Sequence, residues 1–264
     1  MGKIKLLIKY FVYRIRRRGA KGHGIHSPFV FQFSREVLNS RVKYPEYRDI
    51  DLYRRSLYGK NQFIRVSGHG AGSNVFKSAN RRVRDIARRS STGPAACRLL
   101  FRLARYFRAP VIVELGTSLG MAAFCLSRGG QEGKVYSVEA CPEQLEVAGN
   151  ELARFDVDNV DLILGEFGKK LPGLMKKLER VDLVYLDGDH REESVLWQFN
   201  QCAGKAGHRS IFIIGDIHWS PGMERAWGRI CRDPRISCTI DLFFVGLVFF
   251  REGMAKQHYV LKYK

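Results

Sequence analysis

The segment Val111–Gly120 constrains this chain more than any other. Val111, Ile112 and Val113 follow Pro110 and read as a short buried strand. The strand runs into Glu114 and then Gly-Thr-Ser-Leu-Gly (116–120), and a helical run, Met121 to Leu126, follows. Gly116 allows a sharp turn and lets a ligand lie against bare backbone. Thr117 and Ser118 suit a helix N-terminus, and Gly120 permits close packing of helix on strand. The turn is not the dinucleotide fingerprint, because Glu114 stands where the first glycine of that motif belongs. A carboxylate there repels a pyrophosphate and favours a ligand that carries an ammonium group.

Downstream the chain alternates strand and helix, which predicts a parallel sheet covered on both faces. The predicted strands are Lys134–Glu139, Val160–Leu164, Val181–Asp187 and Ser210–Ile214, with helices at Pro142–Phe155, Leu171–Leu178, Glu192–Ala203 and Met223–Cys231. Ser237–Val245, Leu247–Phe250 and His258–Tyr263 close the chain as strands joined by short turns, so at least one should be antiparallel. Acids stand at or just after the strand ends: Glu114, Glu139 (followed by Ala140), Glu166 after Gly165, Asp187 and Asp216. In an open parallel sheet these ends border one crevice. An acid in the place of Glu139 can accept both ribose hydroxyls of an adenosine ligand.

Charge is distributed unevenly. Residues 1–110 hold 26 Lys+Arg against 5 Asp+Glu, whereas residues 111–264 hold 19 against 21. The basic part begins with an amphipathic helix over residues 3–18, which fits an anionic membrane surface or a solvated helix packed on the main domain. Lysines interrupt its apolar run and no cleavage site follows, so a secretory leader is not expected, and the protein is read as cytosolic. Further on, Ser27 should cap a helix that starts at Pro28, a better account of His23 and His26 than a metal site. The glycine-rich Ser67–Ser73 lacks a P-loop ending and reads as a loop able to cover the site. Arginines 81–89 suggest a helix with a positive outer face, but without interleaved aromatics they argue only weakly for nucleic acid. Six cysteines without metal-ligand spacing read as reduced thiols.

Glu-Leu-Gly-Thr-Ser-Leu-Gly (114–120), Glu139, Leu186-Asp-Gly-Asp-His190 and Gly215-Asp-Ile-His-Trp219 together resemble a bacterial class I S-adenosyl-L-methionine (SAM)-dependent methyltransferase, similar to the catechol-type O-methyltransferases. The resemblance covers about residues 95–264 and implies a Rossmann-like α/β sheet of seven strands, the last antiparallel. Residues 1–94 then form a mainly helical basic extension. It implies SAM contacts from Glu114, Gly116, Thr117, Ser118, Gly120, Glu139, Ala140, Gly165, Glu166 and Asp187, and a small hydroxylated acceptor shaped partly by Trp219. In that family the acid ending the fourth strand binds Mg²⁺, and a lysine base stands three residues on; here those positions are Asp187 and His190. The fifth strand of the family ends in an acidic pair, but this chain has Gly215-Asp216. Two arrangements follow. Asp187 and Asp216, with Asp189 nearby, hold a divalent cation; or no metal is needed, His190 is the general base, and Asp216 orients His190 or His218. A nucleic-acid methyltransferase, and a non-catalytic protein that binds a partner or membrane through the basic region, are the competing readings. A dimer is compatible with either.

Overall fold

The computed structural model describes residues 3–16, 26–66, 78–89 and 91–263, with side chains from residue 7 and without that of Arg16. His23, Arg17, Arg18 and the Ser67–Ser73 loop lie outside the described residues, and so do the expectations attached to them. The basic part comprises α1 (Lys3–Arg16), α2 (Pro28–Phe33, continued by a π-helical turn at Ser34–Leu38), α3 (Glu46–Gly59), β1 (Phe63–Arg65), β2 (Asn80–Arg82) and α4 (Val83–Arg89). Ser27 caps α2 as expected, its hydroxyl accepting from the Val30 N–H at 3.3 Å, with Pro28 in the first turn. Arginines 81 and 82 belong to β2, which pairs antiparallel with β1; only the remainder of that run is helical.

The rest is α5 (Pro94–Phe107), β3 (Val111–Leu115), α6 (Met121–Gly129), β4 (Lys134–Glu139), α7 (Pro142–Arg154), β5 (Val160–Leu164), α8 (Phe167–Lys177), β6 (Val181–Leu186), α9 (Glu192–Ala203), β7 (Ala206–Gly215), α10 (Pro221–Arg232), β8 (Cys238–Asp241), β9 (Val245–Phe249) and β10 (Gln257–Val260). The main sheet runs β5-β4-β3-β6-β7-β9-β8-β10, and only β9 is antiparallel to its neighbours. The α/β class therefore stands with eight strands instead of seven. The antiparallel strand is not the last, because β10 adds in parallel to β8 at the edge.

The turn between β8 and β9 also lies elsewhere than expected. Sequence reading carries a strand through Leu242–Val245 because every residue there is apolar. Instead Asp241 ends β8, its Oδ1 accepts from the Phe243 N–H at 2.7 Å, and Phe243 adopts φ 72°. Gly246, expected at the turn, lies inside β9 against Trp227, where an added Cβ would come within 2.5 Å of the indole ring.

Alternation along the strands divides the core in two. Ile112, Leu183, Tyr185, Ile211 and Ile213 face α5–α7 and the N-terminal helices, whereas Val113, Leu115, Val184, Leu186, Phe212 and Ile214 face α8–α10. The N-terminal third shares the first of these cores. Tyr53 of α3 stacks on Phe124 of α6 at 4.5 Å between ring centroids, and its hydroxyl donates to the Leu119 carbonyl at 3.0 Å. Phe33 of α2 meets Phe249 of β9 edge-on at 5.4 Å.

Candidate active site

At the C-terminal ends of β3, β4, β5, β6 and β7 the chain turns five times, and the predicted site residues collect there. The β3–α6 turn is the pivot. Gly116 has φ 108°, and a Cβ on it would stand 2.6 Å from the Gly188 Cα, so the β3 and β6 turns touch backbone to backbone. Ser118, at φ 48°, turns its N–H onto Glu139 Oε2 at 2.9 Å. Glu139 Oε1 takes the N–H groups of Ala140 and Cys141 at 2.8 and 2.9 Å. Three amide donors therefore fix this carboxylate at the end of β4, beside the turn. Gly116, Ser118, Glu139, Ala140, Gly165 and Asp187 all remain partly open to solvent.

The other predicted cofactor residues have different surroundings. Glu114 is wholly buried on the face covered by α5 and α6, between its sheet neighbours Ser137 and Tyr185. Ser137 donates to Glu114 Oε2, and Oε1 has no hydrogen-bond partner. Burial is the main cause that pushes this carboxyl up to about 8; the Ser137 bond opposes the shift, and Asp187 and Glu139 add to it. Glu114 is thus a protonated acid beneath the crevice, not the exposed carboxylate expected to attract an ammonium group. Thr117 is buried too, its hydroxyl 2.5 Å from that of Ser137, so the pair anchors the turn from below. Gly120 is packed under Tyr53. Glu166, at the N-cap of α8, is exposed and ion-paired with Lys169 at 2.8 Å.

The β6 and β7 ends carry the charged cluster. One ligand atom from each of Asp187, His190 and Asp216 lies within 4.8 Å of the others, and His190 Nε2 is 3.7 Å from Asp216 Oδ2. Burial is the leading cause that raises both carboxyls, Asp187 to about 6, while His190 pulls each of them down. The Tyr185 hydroxyl donates to Asp187 Oδ2 at 2.7 Å. Tyr185 is not among the predicted site residues, although its position two residues before Asp187 puts both on one face of the strand. The glycine at 215 is also explained, since a Cβ there would overlap Asp187 Oδ1. The acid missing from this position leaves space that the Asp187 carboxylate fills.

Asp189 and His218 are not in the cluster. Asp189 is buried in a bidentate pair with Arg191 at 2.6 to 3.1 Å. Burial raises that carboxyl, but the Arg191 and Ser194 bonds outweigh it and leave it below its ordinary value. His218 sits between Asp241 at 2.8 Å and Glu224 at 3.2 Å, against the Phe243 ring. Burial there lowers its affinity for a proton, yet the two carboxylates prevail and raise its pKa. Lys9 of α1 completes this second network at 2.6 Å from Glu224. Trp219 is half-buried against the α8–α10 core.

Residues 113–217 match a family described as a methyltransferase domain. A probable cobalt-precorrin-6B C(15)-methyltransferase (decarboxylating) from Sulfolobus acidocaldarius is 28% identical over 97 residues, 35% of this chain and 47% of that protein. The chain thus spans about half the length of the curated relative it matches. An O-methyltransferase from Bacillus cereus, solved with S-adenosylhomocysteine (SAH), superposes with a TM-score of 0.55 at 18% identity, over 84% of this chain and 97% of that one. The O-methyltransferase TomG from Streptomyces achromogenes, involved in tomaymycin synthesis and solved with SAM, gives 0.56 at 16% identity, over 84% and 95%. These likenesses show the fold.

Proposed function

We propose that this chain, which has the class I methyltransferase fold and a matching methyltransferase domain at residues 113–217, transfers a methyl group from SAM to a hydroxyl of a small acceptor. The observation that carries the proposal is the Asp187–His190–Asp216 cluster, set across the β3–α6 turn from the amide-fixed Glu139 carboxylate. The strand-end crevice suits the cofactor. Glu139 has accepting capacity left on Oε2 for a ribose hydroxyl, and the Gly116 backbone, without a Cβ, lies open beside it. Gly116, Ser118, Glu139, Ala140 and Gly165 would hold SAM, which supplies an electrophilic methyl group on a sulfonium.

His190 is the residue to accept the acceptor's proton at Nε2. Asp187 and Asp216 beside it stabilise the imidazolium that forms, and Tyr185 keeps Asp187 in place. Glu114, neutral and buried, ties the turn to β4 through Ser137 and Thr117. The donor set supports a second reading. Two carboxylates and an imidazole would hold a divalent cation, and the nitrogen ligand suits Mn²⁺ or Fe²⁺ better than Mg²⁺. Such a cation would lower the pKa of an acceptor hydroxyl.

Calorimetry with SAM and SAH, followed by a methyl-transfer screen of phenols and other hydroxylated compounds, tests the proposal. His190→Gln should leave SAM affinity unchanged and lower kcat by about 10²–10⁴-fold. Full activity in that variant would refute the base assignment, and absence of SAM binding would refute the activity. Loss of turnover with EDTA and its return with Mn²⁺ would favour the metal reading.

A further inference from the structure

Among its described side chains, α1 docks on the main domain by one face. Lys9 pairs with Glu224 and Tyr13 donates to the Leu261 carbonyl. Tyr10 packs against Phe243 and Phe244 at 5.0 and 5.9 Å between ring centroids. At the α-helical period of about 3.6 residues, positions 9, 10 and 13 form one side of the helix. Positions 7, 8, 11, 12 and 15 form the opposite side. That side carries Leu7, Ile8, Phe11, Val12 and Ile15; four of these are exposed by 60% or more (Leu7 66%, Ile8 60%, Phe11 64%, Ile15 70%). Phe244, half-exposed beside Tyr10, extends the stripe onto the main domain. Its carbonyl accepts the Asp216 N–H at 2.7 Å, so the stripe begins one hydrogen bond from the candidate catalytic acid.

So much contiguous apolar side chain on a soluble surface marks an interaction site. Its partner is indicated by charge. In the sequence Lys3, Lys5, Arg14 and Arg16 are interspersed with the residues of this stripe, in a region that holds 26 basic and 5 acidic residues over 1–110, and Arg14 is exposed at its edge. A stripe made mainly of aliphatic side chains beside cations matches the acyl–headgroup boundary of an anionic bilayer, whereas stacking of successive bases would need more rings than Phe11 and Phe244 supply. We infer that the outer face of α1, with Phe244, docks the protein on an anionic membrane surface. This inference does not depend on the chemistry proposed for the crevice.

Co-sedimentation of the full chain with phosphatidylcholine vesicles, with and without phosphatidylglycerol, tests it. The intact protein should pellet with the phosphatidylglycerol vesicles and be released by salt. Ile8→Ser/Phe11→Ser/Ile15→Ser, all at exposed positions, should lower the partition coefficient at least about tenfold. Arg14→Glu should weaken binding while the stripe stays intact, and Leu164→Ser, at an exposed leucine of β5, should bind as the parent does. Unchanged thermal unfolding and SAM affinity of the variants keep a folding or active-site defect apart from a docking defect. Absence of pelleting, equal pelleting with neutral vesicles, or insensitivity to the triple substitution would overturn the inference. Conversion of a dimer to a monomer by the triple substitution, without vesicle binding, would overturn it in favour of a second copy of the chain.

Discussion

Glu114→Gln should stabilise the folded protein, and by more as pH rises. The carboxyl keeps its proton in the fold up to about 8, whereas the ordinary value of 4.5 applies once the chain unfolds. Between those values unfolding releases a proton, so rising pH favours the unfolded chain. The penalty is absent below pH 4.5, grows by about 1.4 kcal/mol per pH unit, and stops growing above about 8. At pH 7 it amounts to about 3 kcal/mol. Glutamine has nearly the same shape, still accepts from Ser137, and cannot ionise. The variant should therefore unfold at about the wild-type temperature at pH 5, and about 6–12 °C higher at pH 7. Asp187 and Asp216 also have raised values, but they remain in both proteins, so the difference between the two pH profiles isolates Glu114. Thermal unfolding followed by circular dichroism from pH 5 to 8 is the assay. Parallel wild-type and variant profiles would mean that Glu114 is ionised in the fold and that burial is not what governs it.

Removing the hydroxyl in Tyr185→Phe takes a hydrogen bond from the Asp187 carboxylate, so the acid limb of the kcat/KM profile should move to higher pH, by about one pH unit. An unmoved limb would show that Asp187 does not govern it. Gly246→Ala drives a methyl group into the Trp227 ring and should lower stability by about 1–3 kcal/mol, read as a fall in unfolding midpoint at constant m-value.

Local pattern was enough to establish the β3–α6 turn, the order of strands and helices from Val111 to Arg232, and the gathering of acids at strand ends. Those features depend on period, on glycine and on the parallel topology, all of which are written in neighbouring residues. Which acids reach the crevice was decided by packing. Glu114 and Glu139 both belong to strands that enter that crevice, yet one is sealed beneath α6 and protonated while the other is held open by three amides. Spacing cannot register that difference, because it arises from the helices laid over each face of the sheet. The β8–β9 turn was hidden for a related reason: Leu242 is apolar because it enters the core, and Phe243 and Phe244 because they pack against Tyr10 of α1, so hydrophobicity there records tertiary contacts and not a strand. His218 stood two residues from Asp216 in sequence, and the left-handed backbone at Asp216, φ 53°, is followed by a chain path that takes it to Asp241 and Glu224 instead. The sequence alone determined the kind of crevice; the tertiary structure decided which side chains face it, because burial and ionisation are properties of neighbours that are distant along the chain.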